Sequence, residues 1–165
     1  MNSSISLMGF IFMMFFVSFC KPEQELYLIP NGYRGKVNIV FNQSKGTPIK
    51  FEGKNRVYKI PKNGILLISS EMEVGVVKRT FYAVDSLGRR SLLKIFSDDN
   101  FHGNKAEVGI FYDGTVGVYG NSDDKEPLDY QEFLVSTYEG IDAFFKPEYK
   151  HAFHEKLVKV VGRPF

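Results

Sequence analysis

Apolar and polar positions alternate along much of the chain after residue 25. In residues 36–42, Val37, Ile39 and Phe41 fall on one side and Asn38 and Asn42 on the other, with Val40 the exception. A period of two describes a strand with one buried face. A shorter strand, Leu26-Tyr27-Leu28-Ile29, precedes it and is stopped by Pro30-Asn31-Gly32. Residues 57–60 and 65–68 flank Pro61-Lys62-Asn63-Gly64. The Asn-Gly pair there readily takes the positive φ values of a tight turn, so the two segments are expected to be neighbours. Residues 76–84 are rich in β-branched and aromatic side chains and end at Asp85-Ser86-Leu87-Gly88, and residues 92–96 offer a further short strand. The clearest hairpin is residues 106–112, Asp113-Gly114 and residues 115–119, because Asp-Gly suits a turn that matches strand twist. Residues 121–128 read as a polar loop, and residues 130–137 as one more strand.

The period then changes. Ile141, Phe144, Phe145, Tyr149, Phe153 and Leu157 recur at intervals of three or four, with Lys150, Glu155, Lys156 and Lys159 between them. This describes an amphipathic helical segment over about residues 139–160, which Pro147 at a first turn splits in two. With no internal repeat and no low-complexity linker, the expectation is a single domain over residues 26–165. It is mainly β with a C-terminal helix, as a β-sandwich or barrel-like antiparallel sheet.

The start of the chain follows a different logic. Residues 1–19 hold no charged side chain, and residues 7–19 are apolar apart from Gly9 and Ser18. Crossing a bilayer takes ~20 apolar residues, so this run fits a cleaved signal peptide better than a permanent span. Cys20 is the sole cysteine and stands where the apolar run gives way to Lys21-Pro22-Glu23-Gln24-Glu25. Val17-Ser18-Phe19-Cys20 resembles the bacterial lipobox, in which the thiol receives a diacylglyceryl group and the cysteine becomes the new N-terminus. Two features depart from that pattern: Phe19 stands where a small residue is usual, and no Lys or Arg precedes the apolar run. The resemblance implies an exported protein of the bacterial cell envelope, lipid-anchored, at the outer membrane, with residues 20–25 as anchor and tether. Stable anchoring takes more than one acyl chain.

Composition adds less. The net charge of +2 and the scatter of basic pairs such as Lys78-Arg79 and Arg89-Arg90 give no field that would gather nucleic acid. Sixteen Phe and nine Tyr without Trp reinforce the β reading.

A longer resemblance rests on residues 28–42, which read Leu-Ile-Pro-Asn-Gly-Tyr-Arg-Gly-Lys-Val-Asn-Ile-Val-Phe-Asn. It continues through Gly46-Thr47-Pro48, Arg56-Val57-Tyr58-Lys59-Ile60-Pro61, Asn63-Gly64-Ile65-Leu66-Leu67, Phe81-Tyr82 and Asp85-Ser86-Leu87-Gly88. Over residues 26–96 the chain resembles a family of small candidate lipoproteins of Bacteroidota that carry a domain of unknown function. The resemblance implies location and a β fold. It brings no catalytic residues.

Candidate chemistry is sparse. Within the Gly-Tyr-Arg-Gly turn, Tyr33 and Arg34 are residue types common at interfaces and are the candidate contacts for a ligand or partner. His151 and His154, with Glu155 beside them, have helical spacing for a shared metal but lack a third ligand, the remaining histidine being His102 in a loop. Ser97-Asp98-Asp99-Asn100 and Asn121-Ser122-Asp123-Asp124 gather oxygens without the spacing of a calcium loop. Glu52, Glu107, Asp113 and Asp129 form a carboxylate set for glycoside hydrolysis only if the fold brings them together. No nucleophile elbow, phosphate loop or dinucleotide fingerprint is present. The sequence therefore assigns no catalytic residue, metal or cofactor. Its leading reading is a membrane-tethered lipoprotein acting as a non-enzymatic binding or structural module, with the membrane and an envelope protein or glycan as partners. The alternatives are a surface hydrolase of unrecognised type and an accessory subunit that docks through the C-terminal amphipathic helix.

Overall fold

The computed structural model describes residues 24–73, 75–97, 103–120 and 127–165. The expected signal peptide, Cys20, His102 and most of the two acidic loops lie outside these described residues. Nine strands are described: β1 (Gln24–Pro30), β2 (Gly35–Val40), β3 (Lys50–Glu52), β4 (Asn55–Lys59), β5 (Ile65–Leu67), β6 (Lys78–Val84), β7 (Arg90–Ile95), β8 (Val108–Tyr119) and β9 (Leu128–Thr137). A 3-10 helix (Tyr138–Phe144) and the helix α1 (Pro147–Val161) follow. The strands form one sheet in the order β3-β4-β1-β6-β7-β8-β9-β2-β5, curled into a half-barrel. The mainly β single domain with its C-terminal helix is thus as the patterning predicts.

The inner face of the curl holds the main core. Tyr27 lies between Tyr58 and Phe81, with ring centroids 5.1 and 4.6 Å away, and Phe133 meets it edge-on at 5.4 Å. Val37, Ile39, Phe41, Ile110 and Val135 close around this stack. On the outer face, α1 lays Phe153 and Leu157 over Val40, Ile65 and Leu128, while Ile141 of the 3-10 helix covers Phe111 and Leu134. Val40, the exception in the alternation of β2, is apolar because α1 covers that face. The strand is buried on both sides, where the period of two predicts one. Pro147 opens α1, and Gly162 ends it in the left-handed region, its N–H donating to the Val158 carbonyl at 2.8 Å.

Four details differ from the sequence reading. The sheet is mixed: β1 pairs in parallel with β4 and β6, β2 with β5, and β7 with β8. Residues 57–60 and 65–68 are not neighbours, since β4 joins β1 on one flank and β5 joins β2 at the far edge. The Gly64 N–H does close a turn on the Pro61 carbonyl at 2.9 Å, but a turn sets chain direction and not strand partner. Because the sheet curls, a short link can pass from one flank to the other. Asp113-Gly114 makes no hairpin either. Strand β8 runs on to Tyr119, paired with β9 on both sides of an irregularity between Phe111 and Thr115. Tyr112 (φ 57°) and Gly114 (φ 85°) take the positive values there, so the conformational freedom read as a turn serves a β-bulge. Finally, β1 begins at Gln24, which places Gln24 and Glu25 in the sheet where a tether was expected.

Gly64 is constrained twice. It sits at φ 80°, and a Cβ there would lie 1.9 Å from the Tyr33 hydroxyl oxygen and 2.7 Å from the Lys36 carbonyl oxygen. Gly64→Ala is expected to cost about 2 kcal/mol of stability through the left-handed backbone and displacement of Tyr33. Urea denaturation checks it, and a change below ~0.5 kcal/mol would show that Tyr33 yields freely.

Candidate functional site

The parallel register of three adjacent strands builds a charged row inside the half-barrel. Glu25 stands opposite Arg56 of β4 on one side and Arg79 of β6 on the other. Two residues further along, on the same face, Tyr27 stands opposite Tyr58 and Phe81. In-register parallel pairing sets like positions side by side, so an Arg-Glu-Arg row lies directly below a Tyr-Tyr-Phe row.

The Glu25 carboxylate is the hub. Its Oε2 accepts from the Tyr27 hydroxyl at 2.7 Å and lies 3.4 Å from Arg79 Nε. Its Oε1 accepts from the Tyr58 hydroxyl at 3.4 Å and lies 3.6 Å from Arg56 Nη1. Gln131 of β9 donates through Nε2 to the Tyr27 oxygen at 2.8 Å. Side-chain exposure is 7% for Glu25 and 5% for Arg56 but 22% for Arg79, so the row opens to solvent on the β6 side. Burial, and then the Glu25 charge, push the Tyr27 and Tyr58 hydroxyls well above the usual phenol range.

Above the open end lies a cleft of about 150 Å³, floored by Glu25, Tyr58, Arg79 and Gln131. Its rim carries Glu73, whose carboxylate pairs with Arg56 Nη2, and Gly114 of the β8 bulge. A second cavity, of about 190 Å³, lies on the outer face between the sheet and the helices. At its wall Lys36 pairs with Glu132 at 3.1 Å, and beside it Asn38 Nδ2 donates to the Tyr119 hydroxyl at 2.9 Å and to Glu132 at 3.3 Å. Tyr149 of α1 accepts from the Lys36 backbone N–H at 2.8 Å. The bonds among Lys36, Asn38, Tyr119 and Glu132 tie β2, β8 and β9 together and the Tyr149 bond ties α1 to β2, so these groups serve the fold, and we regard the inner cleft as the candidate site.

The residues singled out in the sequence lie elsewhere. Tyr33 packs on the core and donates its hydroxyl to the Lys36 carbonyl at 2.6 Å, and exposed Arg34 donates to the Tyr33 carbonyl at 2.7 Å. His151 and His154 are exposed on α1, His151 near Glu155 at 3.3 Å and His154 edge-on to Phe165 at 5.2 Å. The four carboxylates do not converge. Glu52 holds Arg90 at 2.5 Å, Glu107 holds Lys94 at 2.8 Å, Asp113 sits on the bulge, and Asp129 is the second residue of β9, beside Phe41. Among the described residues no group of three metal-type side chains gathers. Of the three Phe whose exposure would mark a docking helix, Phe153 is buried, Phe144 is intermediate and Phe145 is 47% exposed.

Glu25, Arg56, Arg79 and Gln131 were missed. A signal for the first three exists in the spacing: Glu25-x-Tyr27, Arg56-x-Tyr58 and Arg79-x-Phe81 each place a charge two residues before an aromatic ring in a strand. That repeat becomes visible as a site only when the three strands are known to pair.

The fold and cleft define a class, a curled mixed sheet with an ion-paired interior and one external helix. The chain belongs to the family of unknown function DUF6843, whose model matches residues 21–143, a span that takes in every described strand and leaves α1 outside. The crystal structure of a candidate lipoprotein from Bacillus anthracis shares the fold. Its TM-score is 0.53 over 69% of this chain and 70% of that one, at 19% identity. No curated protein matches the chain.

Proposed function

We propose that this protein is a lipid-anchored binding module of the bacterial cell envelope, exported by residues 1–19, fixed through Cys20, and holding its ligand in the cleft beside Arg79. The observation that carries the binding role is the saturation of Glu25. Two tyrosine hydroxyls and two guanidinium groups surround its carboxylate, leaving it placed to shape a pocket and not to shuttle protons. The anchor is supported by the position of Cys20 at the end of the apolar leader and by the fold shared with a candidate lipoprotein. An origin among Bacteroidota lipoproteins and a place at the outer membrane extend the same reading. Only Lys21, Pro22 and Glu23 separate Cys20 from β1, a reach of about 14 Å. The Gln24 end of the sheet would therefore face the bilayer closely.

Fractionation tests the anchor. The full chain is expected in the membrane pellet and released by detergent but not by salt, and Cys20→Ala in the soluble fraction. Unchanged membrane partition of Cys20→Ala, or an unacylated mature N-terminus in mass spectra, would remove the lipid anchor.

A further inference from the structure

We propose that the inner cleft is a carboxylate-recognition site, with the Arg79 guanidinium as the group that takes a small monocarboxylate ligand. This rests on the binding reading above and gives it a ligand class.

Arg79 holds donors that the fold does not use. Its Nε is buried yet has no hydrogen-bond partner among the described residues, lying only at ion-pair distance, 3.4 Å, from Glu25. Glu25 is already served by Tyr27, Tyr58 and Arg56, so the planar fork of Arg79, with its five N–H groups, is underused. The β8 bulge makes room for it: a Cβ on Gly114 would lie 2.7 Å from Arg79 Nη1. A fork with vacant donors at the wall of a cleft suits a planar carboxylate held by two parallel bonds.

Glu73 shows the same chemistry within the chain. Its side chain is 69% exposed, and it reaches from the rim to the 5% exposed Arg56. The two arginines share Glu25 and differ beyond it: Arg56 also meets Glu73, whereas Arg79 turns its remaining donors to the cleft. With Glu25 and Glu73 both close by, a dianion such as a phosphate monoester is repelled more than a single carboxylate. The space of about 150 Å³ sets the size, since a cavity of that order holds a benzene-sized group. Phe41, Met72 and Val116 give it apolar walls.

The test uses the full-length ¹⁵N-labelled chain in detergent micelles, titrated with N-acetylalanine and, separately, with the uncharged N-acetylalanine amide, following the Gly114 amide resonance. The acid is expected to bind in the millimolar range usual for a fragment and at least tenfold more tightly than the amide. Arg79→Gln is expected to abolish the preference, and Arg79→Lys, which keeps the charge and loses the fork, to reduce it several-fold. Glu73→Gln is expected to tighten the acid two- to fivefold and leave the amide unchanged, a gain that a purely structural role for the row would not give. Should Arg79→Gln fail to fold, Arg79→Lys and Glu73→Gln carry the test. Equal binding of acid and amide would overturn carboxylate recognition while leaving a binding cleft. Binding of neither at tens of millimolar would overturn it as well, and the Cys20→Ala fractionation judges the anchor separately.

Discussion

Glu25→Ala is expected to lower the unfolding free energy by about 3–5 kcal/mol, the loss usual when one member of a buried ion pair is removed. The variant keeps Arg56 at 5% side-chain exposure and Arg79 at 22%, both without their shared counter-charge. It also takes the acceptor from two buried hydroxyls, those of Tyr27 and Tyr58. Glu73 can still compensate Arg56 from the rim, which places the loss inside that range and not above it. For a domain of ordinary stability, 5–15 kcal/mol, this is a large part of the total. Urea denaturation at pH 7 followed by near-ultraviolet circular dichroism checks it. Combining Glu25→Leu with Arg56→Met and Arg79→Met should restore much of the stability, because an apolar row leaves no buried charge unpaired, Glu73 at the rim being 69% exposed. A loss below ~1 kcal/mol for Glu25→Ala would show that water reaches the row and screens it.

The second large effect is alkaline. Tyr27 is 0% exposed and Tyr58 2% exposed, and burial together with the Glu25 charge raises the pKa of both. The folded-state values lie above the unfolded value of about 10, so the contribution of these hydroxyls is complete below pH 10 and falls as the pH rises beyond it. In that window the unfolded chain gives up protons that the folded chain retains. Each such group lowers stability by about 1.4 kcal/mol per pH unit, so the pair gives a slope of about 2.7 kcal/mol per unit. Burial shifts Tyr33 and Tyr119 in the same direction and steepens the fall. The domain should therefore unfold cooperatively between about pH 10 and 12, with tyrosine ionisation at 295 nm coinciding with loss of the near-ultraviolet signal. Tyr58→Phe should reduce the slope by about 1.4 kcal/mol per unit. Gradual ionisation centred near pH 10 with the dichroism intact would contradict the closed interior.

The charged row also shows where reading a sequence stops. Glu25 follows Lys21-Pro22-Glu23-Gln24, and in that company it looks like part of a solvated tether. Nothing local says that Arg56 and Arg79, far along the chain, will stand on either side of it. Parallel pairing between distant strands supplies that information, and it leaves no turn signal because the partners are not joined by a turn. The same reasoning covers residues 57–60 and 65–68. Their turn chemistry is correct, but each segment finds its partner elsewhere because β1 and β2 offer buried parallel edges. Asp113-Gly114 is a related case. Positive φ at Gly114 is a local preference, whereas its use in a bulge depends on β9 running unbroken alongside β8.

Where a single element decides the outcome, the sequence was sufficient. The alternation of Val37, Ile39 and Phe41 fixed the inner face of β2, the three-four spacing from Ile141 to Leu157 fixed the helical segments, and Pro147 fixed the point where α1 begins. These follow from side-chain periodicity and backbone restrictions that act within a few residues. The curl of the sheet, the burial of Val40 beneath α1, and the meeting of Arg56, Glu25 and Arg79 around a cleft were decided by tertiary structure alone. They depend on contacts between segments far apart in the chain, where the favourable energy comes from burying faces against one another and from holding unlike charges together out of water.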